Sequence, residues 1–312
     1  MTNQPFLQEV ENDSGLNNLK STQDWLKENK IFIELKLEEH GAIIFKDLPV
    51  KTAEDFDQFV STFNYETFTY EESLSNAVRI NKTDKVFTAN EAPREVEIFL
   101  HHEMAQTPTY PKNIFFFCKS ASETGGETPL CRSDQLYEAL LKADKALVES
   151  FEKFGVIYNS IMSSGDELIS GQGRSWQKTL GVSSKNDAEE KLSKLGYSWN
   201  WIEDDNLSVT TKTLQATKEL GNGQKSFFNQ VIAASLGWKK NSENQIAPVR
   251  FGNGEEIKES YIELISELAQ SLTLLRSWQD HDIFLIDNYR VMHGRKPFAG
   301  NKNREVLVSL TN

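Results

Sequence analysis

The chain has little of what a secreted, membrane-spanning or disulfide-stabilised protein needs. Its 312 residues include only two cysteines, Cys118 and Cys131, too few for a disulfide framework or a cysteine-based metal site. We find no apolar run long enough to span a membrane and no N-terminal signal pattern. These absences predict a cytoplasmic protein whose thiols are reduced.

Positive charge is also scarce. Lysine and arginine together number 34 against 46 aspartates and glutamates, which gives a formal net charge of −12. Nucleic acids and anionic membranes attract basic surfaces, so we predict neither as a partner. The acidic balance itself is explained by solubility.

The chain shows no internal repeat or low-complexity linker that would divide it. With 38% hydrophobic residues it can bury a substantial core, so we predict one domain over residues 1–312. The first 15 residues are polar and predicted to be loosely ordered. Residues from about 160 to 225 are polar and contain three of the six tryptophans, a pattern typical of an insertion that forms a substrate lid or part of a wall. These tryptophans either pack the insertion or face a substrate.

Local patterns predict an early strand and four helices. The apolar stretch 41–45 predicts a strand that opens the core. The helices are predicted at about 19–28, at 52–63 behind a Thr52 cap, from a Ser133 or Asp134 cap to 145, and from 145 to 154.

Two ligand-type residues stand two positions apart, at His101 and Glu103. Side chains at i and i+2 of a strand point to the same face, so this pair can converge on one ion while His102 faces away. Alternating apolar residues in 96–100 support such a strand. Taking His102 as the ligand would pair it with Met104, so we favour His101 with Glu103.

A further histidine follows a strand-and-turn pattern near the end of the chain. The apolar run 283–286 leads through a polar turn at 287–288 to His293. Two histidines and a carboxylate form the ligand set of non-haem Fe(II) oxygenases, which leaves the opposite face of the metal open. Arg304, eleven residues later, shares a strand face with Val306 and Val308. An arginine on such an apolar surface needs a carboxylate partner, and a bidentate one suits it best.

On these residues the chain resembles the taurine dioxygenase/2,4-D dioxygenase family of Fe(II)- and 2-oxoglutarate-dependent oxygenases. It is most similar to the clavaminate synthase-like branch, which carries His-x-Glu and includes the syringomycin-biosynthesis hydroxylase. The resemblance spans roughly residues 41 to 310 and is carried by the stretches 101–106, 125–129 and 287–295 and by Arg304.

The resemblance implies both a fold and a ligand set. With the many short strands, it implies a mainly β fold with peripheral helices, the double-stranded β-helix or jelly-roll barrel. It implies that His101, Glu103 and His293 bind iron and form the catalytic centre. It also implies that Thr128 and Arg304 hold the distal carboxylate of 2-oxoglutarate.

Four further residues are candidates for substrate contacts: His102, Gln106, Asn229 and Arg295. Each of three has a structural alternative. His102 could be a packed residue that faces away from the metal, Asn229 could satisfy backbone groups in a buried strand, and Arg295 could hold the turn beside His293.

Two positions restrict the substrates and the reactions that we predict. Relatives that bind an acidic group on the prime substrate often have a second arginine four residues after the first, and here that position is Val308, so taurine or another sulfonate is not predicted. Halogenating relatives have a small residue in place of the carboxylate ligand. Glu103 therefore favours hydroxylation, or desaturation or ring closure.

The hypothesis that follows is a dioxygenase that uses Fe(II), 2-oxoglutarate and O2. We expect it to hydroxylate an unactivated C–H bond of a small-molecule substrate, either an amino acid, free or attached to a carrier protein, or a related metabolite, with release of succinate and CO2. The alternatives are a desaturase or cyclase of the same family, and a sensor that binds 2-oxoglutarate without turnover. A metal-dependent hydrolase or isomerase on a related barrel would leave Thr128 and Arg304 without a role.

Overall fold

The computed structural model describes residues 6–69, 73–167, 173–221, 223–238 and 246–312. Its strands are β1 (Gln8–Val10), β2 (Ala42–Phe45), β3 (Phe87–Thr88), β4 (Ile98–His101), β5 (Asn113–Ser120), β6 (Thr124–Gly125), β7 (Thr128–Arg132), β8 (Val156–Met162), β9 (Ser198–Trp201), β10 (Leu207–Thr210), β11 (Lys218–Gly221), β12 (Gln224–Ser226), β13 (Val249–Phe251), β14 (Thr273–Arg276), β15 (Ile283–Asp287), β16 (Val291–Arg295), β17 (Phe298–Ala299) and β18 (Glu305–Thr311). Its helices are α1 (Leu19–His40), α2 (Ala53–Ser61), α3 (Ser133–Ala143), α4 (Lys145–Phe154), α5 (Trp176–Leu180), α6 (Lys185–Leu195), α7 (Val231–Gly237) and α8 (Glu259–Ser271), with a 3-10 turn at Glu203–Asp205.

Two sheets form the centre of the protein. The large sheet has six strands in the order β1-β2-β15-β5-β18-β3, and the site sheet has four in the order β14-β7-β16-β4. Strand β5 shows why the large sheet is buried on both faces. Phe115 and Phe117 pack against the outer helices, whereas Ile114, Phe116 and Cys118 pack between the two sheets, as a period of two requires.

Helices cover the outer faces of both sheets. Helices α1 and α2 pack on the large sheet, where Phe56 stacks on Phe117 with ring centroids 5.3 Å apart. Helices α3, α4, α7 and α8 pack on the site sheet, against Cys131 and Met292. Each fully buried phenylalanine contributes about 2 kcal/mol, so these layers hold the sheets together. Among the described residues, no helix has the length and apolar character needed to cross a bilayer.

The predicted insertion contributes to a sheet that is separate from the two central ones. Strands β13, β8, β10 and β9 form a four-stranded sheet in that order, and α5 and α6 pack on it. The three tryptophans belong to this small core: Trp176 is buried and meets Trp201 edge to face at 5.2 Å, and Trp199 packs against the same cluster. The structure therefore places them in the insertion's core. Residues 168–172 and 222 of the predicted insertion lie outside the described residues.

The first helix is longer than predicted. Helix α1 begins behind an Asn18–Ser21 capping box and continues past residue 28 to His40. Residues 29–40 contain neither glycine nor proline, so nothing stops the helix before Gly41. Gly41 has φ 80° and its N–H donates to Leu37 O. A Cβ there would lie 2.7 Å from a methyl carbon of Val291.

The predictions for α3 and for the N-terminus need correction. Ser133 is the first helical residue and not a cap, because its hydroxyl donates to Arg290 O at 3.0 Å and so ties α3 to the turn before β16. Asp144 ends α3 and caps α4. The expectation of a loosely ordered start is wrong for Gln8–Val10, which pair in parallel with β2, while residues 1–5 lie outside the described residues.

Candidate active site

The two histidines of the predicted triad face each other across neighbouring strands. His101 ends β4 and pairs directly with His293 of the antiparallel strand β16, with ring centroids 4.4 Å apart. Gly294 permits this close approach, because a Cβ at that position would lie 2.4 Å from Ile98 O. The register, which the sequence alone does not state, is what brings the rings together.

Glu103 reaches the histidines by a different route from the one predicted. Strand β4 ends at His101, so the alternation of a strand does not position Glu103. It lies in a turn before Met104, whose φ is 58°. Buried Asn288 holds this turn: its Oδ1 accepts from Glu103 N at 2.8 Å, and its Nδ2 donates to Glu103 O at 3.1 Å. Two hydrogen bonds from the Asn288 side chain to the Glu103 backbone therefore position Glu103, in place of the strand alternation that was predicted to do so.

The three side chains present a compact donor set. One ligand atom from each of His101, Glu103 and His293 lies within 4.8 Å of the other two. His101 Nδ1 is 2.7 Å from Phe99 O, and since a carbonyl only accepts, the proton is on Nδ1 and Nε2 is left to bind a metal. His293 Nε2 lies 3.5 Å from Glu103 Oε2. Two imidazoles and one carboxylate in this arrangement fit a ferrous ion.

Arg79 is a site residue that no sequence pattern identified. Its Nη2 donates to both carboxylate oxygens of Glu103, at 2.9 and 3.0 Å. It stands in a segment without regular structure, 24 residues before Glu103, where no periodicity or motif marks it. The contact depends on how that segment crosses the site, which is a property of the tertiary fold.

The electrostatics of the triad suit metal binding near neutral pH. Burial lowers the pKa of His101 to about 4, with a further contribution from neighbouring His293, so the ring is neutral. Burial by itself would raise the pKa of Glu103, but Arg79 and His293 outweigh it and hold that pKa well below its usual range. The carboxylate is therefore ionised and the imidazole carries a free lone pair.

The triad opens onto a cavity of about 250 Å³. Its lining includes the predicted residues Thr128, Arg304, Gln106 and Arg295 as well as Arg79. A cavity of this size suits small molecules, being near the lower end of the range for ligand pockets. Val308 is buried in the core between the two sheets and supplies no polar group.

Thr128 and Arg304 form the anion end of the cavity, the name we use for this pair. Arg304 stands just before β18, its Nη2 donates to Gly126 O at 3.2 Å, and no acidic side chain pairs with it in the part of the chain that the structure describes. Burial lowers the pKa of Arg304. Trp278 Nε1 donates to Thr128 Oγ1 at 2.9 Å, so the hydroxyl proton of Thr128 remains available for an acceptor. Trp278, too, was not predicted.

His102 and Asn229 do not line the cavity. His102 is fully buried, and its Nδ1 contacts Asn288 O, which agrees with the packed alternative. Asn229 satisfies backbone groups: its Nδ2 donates to Ala216 O, and its Oδ1 accepts from Val231 N, both at 2.9 Å. The next residue, Gln230, lines the cavity instead.

Arg295 lines the cavity, yet its guanidinium is occupied by backbone. It donates to the carbonyl oxygens of Ala92 at 3.0 Å, Pro93 at 2.7 Å and Val96 at 2.8 Å. These bonds fix the segment that leads into β4. The geometry therefore favours the alternative in which Arg295 supports the site's structure.

Comparisons with known proteins agree with this site. The family described as taurine catabolism dioxygenase TauD, TfdA matches residues 7–310. The chain is 32% identical over 286 residues to a clavaminate synthase-like protein of Arabidopsis thaliana, covering 91% of this chain and 86% of the relative. It is 27% identical over 289 residues to the dapdiamide synthesis protein DdaC of Enterobacter agglomerans, covering 88% and 83%.

A solved structure shares the fold. The crystal structure of AAD-2 in complex with Mn(II) and N-oxalylglycine matches with a TM-score of 0.53 at 15% sequence identity, covering 98% of this chain and 94% of that one. The family match together with the donor set defines an Fe(II)- and 2-oxoglutarate-dependent dioxygenase. The chain belongs to the TauD/TfdA family. Iron and 2-oxoglutarate are accordingly its cofactor and cosubstrate.

Proposed function

We propose that this chain is a single-domain hydroxylase of an amino-acid-derived small molecule, built on a jelly-roll core. In this proposal His101, Glu103 and His293 hold the iron, and Thr128 and Arg304 hold the distal carboxylate of 2-oxoglutarate. The observation that carries it is one cavity with the donor set at one place in its wall and the anion end at another. The metal centre, when loaded, supplies an oxidant strong enough for an unactivated C–H bond.

The protein's own residues bind and orient. Arg304 offers a partly buried guanidinium fork, and Thr128 offers a hydroxyl whose oxygen is already engaged by Trp278, so both present donors to one carboxylate. His101 is locked in the tautomer that leaves Nε2 for the metal.

The polarity of the remaining wall supports an amino-acid substrate. Besides the metal ligands and the anion end, the cavity is lined by the side chains of Arg79, Glu97 and Glu167 and by the amides of Asn76 and Asn206. A wall with this many polar groups suits a substrate that carries polar groups of its own better than it suits a hydrocarbon. The relative DdaC is a dapdiamide synthesis protein, which points to specialised metabolism as well.

The insertion supplies part of this wall, which supports the hypothesis of a substrate lid. Ile161, Ser163, Glu167 and Asn206 reach the cavity from the insertion, whereas its tryptophans do not line it. Attachment of the substrate to a carrier protein and a cytoplasmic location stay predictions. The two cysteines are free thiols in the structure, which is compatible with a reducing compartment.

Glu103 favours hydroxylation over halogenation. A halogenase needs an open metal position where the carboxylate would stand, and here that position is filled by an ionised glutamate. The test is anaerobic reconstitution with Fe(II) and 2-oxoglutarate, followed by O2 and a panel of free and carrier-bound amino acids. Succinate formation and product mass are the readouts.

Each outcome separates the hypotheses. Substrate-stimulated succinate with a product heavier by one oxygen atom supports the hydroxylase. A product lighter by two hydrogen atoms indicates a desaturase or cyclase. Tight 2-oxoglutarate binding without stimulated turnover across the panel contradicts the amino-acid hydroxylase and favours the sensor. Failure to bind Fe(II) with 2-oxoglutarate would contradict the assignment of the site.

A further inference from the structure

Arg79 binds the carboxylate of Glu103 inside the protein. The two side chains are only 6% and 4% exposed, and the guanidinium also lies against the ring of Phe87, 5.3 Å from its centroid. Both partners are charged and shielded from water, so their attraction is screened far less than that of a surface pair. Arg79 therefore restricts the orientations that the Glu103 carboxylate can adopt.

The two oxygens of Glu103 are not equivalent. Oε2 lies 3.5 Å from His293 Nε2, within the donor set, whereas Oε1 makes the shorter of the two contacts with Arg79, at 2.9 Å. A metal held by the donor set competes with Arg79 for Oε2. It leaves Oε1 as the natural partner of the guanidinium.

On the basis of the proposed function, we propose that Arg79 is a positioning residue that keeps Oε1 of Glu103 occupied, so that this ligand offers the metal one oxygen and not two. A carboxylate can bind a metal through either one or both oxygens. A facial triad works because three protein donors leave the opposite face open. A second oxygen from Glu103 would take one of the positions that the cosubstrate and O2 need.

Arg79 also places a positive charge beside the donor set. The guanidinium of Arg79 contacts the one acidic side chain among the three ligands, so its positive charge offsets the charge of the Glu103 carboxylate. The metal-loaded site then keeps a larger positive charge, which attracts the anionic cosubstrate. Loss of Arg79 is therefore expected to weaken 2-oxoglutarate binding more than metal binding.

The experiment compares Mn(II)-loaded protein carrying Arg79→Met, Arg79→Gln or Arg79→Lys with the wild type. Water-proton relaxation by bound Mn(II) reports the number of metal-bound waters, and anaerobic titration gives the Kd for 2-oxoglutarate. We expect the Met and Gln variants to lose about a third of the relaxation enhancement, because one of about three open positions is taken. We expect their Kd for 2-oxoglutarate to rise about tenfold or more.

Two controls separate this role from a structural one. Arg79→Lys keeps a charged donor and should restore part of both readouts. Arg94→Met removes the same charge from an exposed side chain outside the cavity and should match the wild type. If the Met variant does not fold, the Gln variant, which keeps a polar side chain in the wall, carries the comparison.

Two results would overturn the proposal. Wild-type relaxation and wild-type 2-oxoglutarate affinity in a folded Met or Gln variant would show that Arg79 does not control the binding mode of Glu103. Loss of Mn(II) binding with unchanged thermal unfolding would show that Arg79 supports the ligand set as a whole. A wild-type protein that binds neither Mn(II) nor 2-oxoglutarate would instead refute the proposed function.

Discussion

The donor set and the anion end of the cavity differ in how their charges are compensated. At the donor set, the negative charge of Glu103 already has a buried counterion in Arg79. At the anion end, Arg304 donates to the carbonyl of Gly126 and lies over the ring of Phe298, and no acidic side chain pairs with it among the residues that the structure describes. One part is compensated before any ligand binds, and the other is left with an excess of positive charge.

This difference in charge compensation indicates which kind of ligand each part binds. A buried guanidinium without an anion is costly, and a carboxylate from outside the chain relieves that cost. The donor set, in contrast, receives a cation, and two of its three ligands are ready to do so, because Glu103 is ionised and His101 neutral. Separate variants of the two parts should therefore affect separate ligands.

The largest effect is expected at the donor set. His293→Ala removes one of three ligand atoms, so we expect the Kd for Mn(II) to rise by more than about 100-fold, since even changes behind metal ligands cost 10- to 100-fold. Anaerobic titration with Mn(II) measures this. His281→Ala, which changes a histidine that does not line the cavity, should bind the metal like the wild type. Equal affinities in the two variants would remove His293 from the ligand set.

A smaller and different effect is expected at the anion end. Arg304→Leu should raise the Kd for 2-oxoglutarate by about 30-fold or more, because losing one partner of a buried charge pair costs about 2 kcal/mol or more. Metal binding should stay unchanged. Arg94→Leu is the matched control on the surface. An Arg304→Leu protein with wild-type affinity for 2-oxoglutarate would place the distal carboxylate elsewhere.

Trp278 offers a finer test of the same end. Trp278→Phe keeps an aromatic ring against Phe284 but removes the donor that engages Thr128 Oγ1. Losing one neutral hydrogen bond costs about 1 kcal/mol, so the Kd for 2-oxoglutarate should rise about fivefold. Trp25→Phe, on α1, should not change it. An unchanged Kd in Trp278→Phe would show that Thr128 orients its hydroxyl without help.

The sequence could predict the residues that bear the chemistry better than the way they are held. His101, Glu103, His293, Thr128 and Arg304 all line one cavity, because residue type and spacing restrict what such side chains can do. The predicted reason for Glu103 was nevertheless wrong. Strand β4 ends two residues before Glu103. Asn288, in a turn 185 residues later in the chain, binds the backbone of Glu103 instead.

Residues that act through tertiary contacts left no local signal. Arg79 and Trp278 lie outside the regular elements, where neither alternation nor helical period applies, and each meets its partner only after the sheets have formed. Helix α1 was also predicted incompletely, for a simpler reason. Its start was visible from the sequence, but its end had to be read from the first residue that prevents continuation, Gly41.

Acid provides the last test, because it acts on His101 of the donor set and on the neighbouring His102 and not on the anion end. Burial lowers the pKa of His101 to about 4 and that of His102 to about 3, whereas in the unfolded chain both titrate near 6.5. Below that value the unfolded chain binds protons that the folded protein does not. The free energy of unfolding therefore decreases as the pH is lowered.

For metal-free protein we expect a loss of about 1 kcal/mol per histidine between about pH 7.5 and about pH 5.5, measured by urea unfolding at each pH. His102→Gln should roughly halve this loss, since only His101 then contributes. Arg304→Leu should leave it intact, because neither Arg304 nor Thr128 titrates in that range. An equal pH dependence in His102→Gln and the wild type would mean that His102 is not held neutral by its burial. The acid sensitivity would then have to arise from His101 and from groups other than His102.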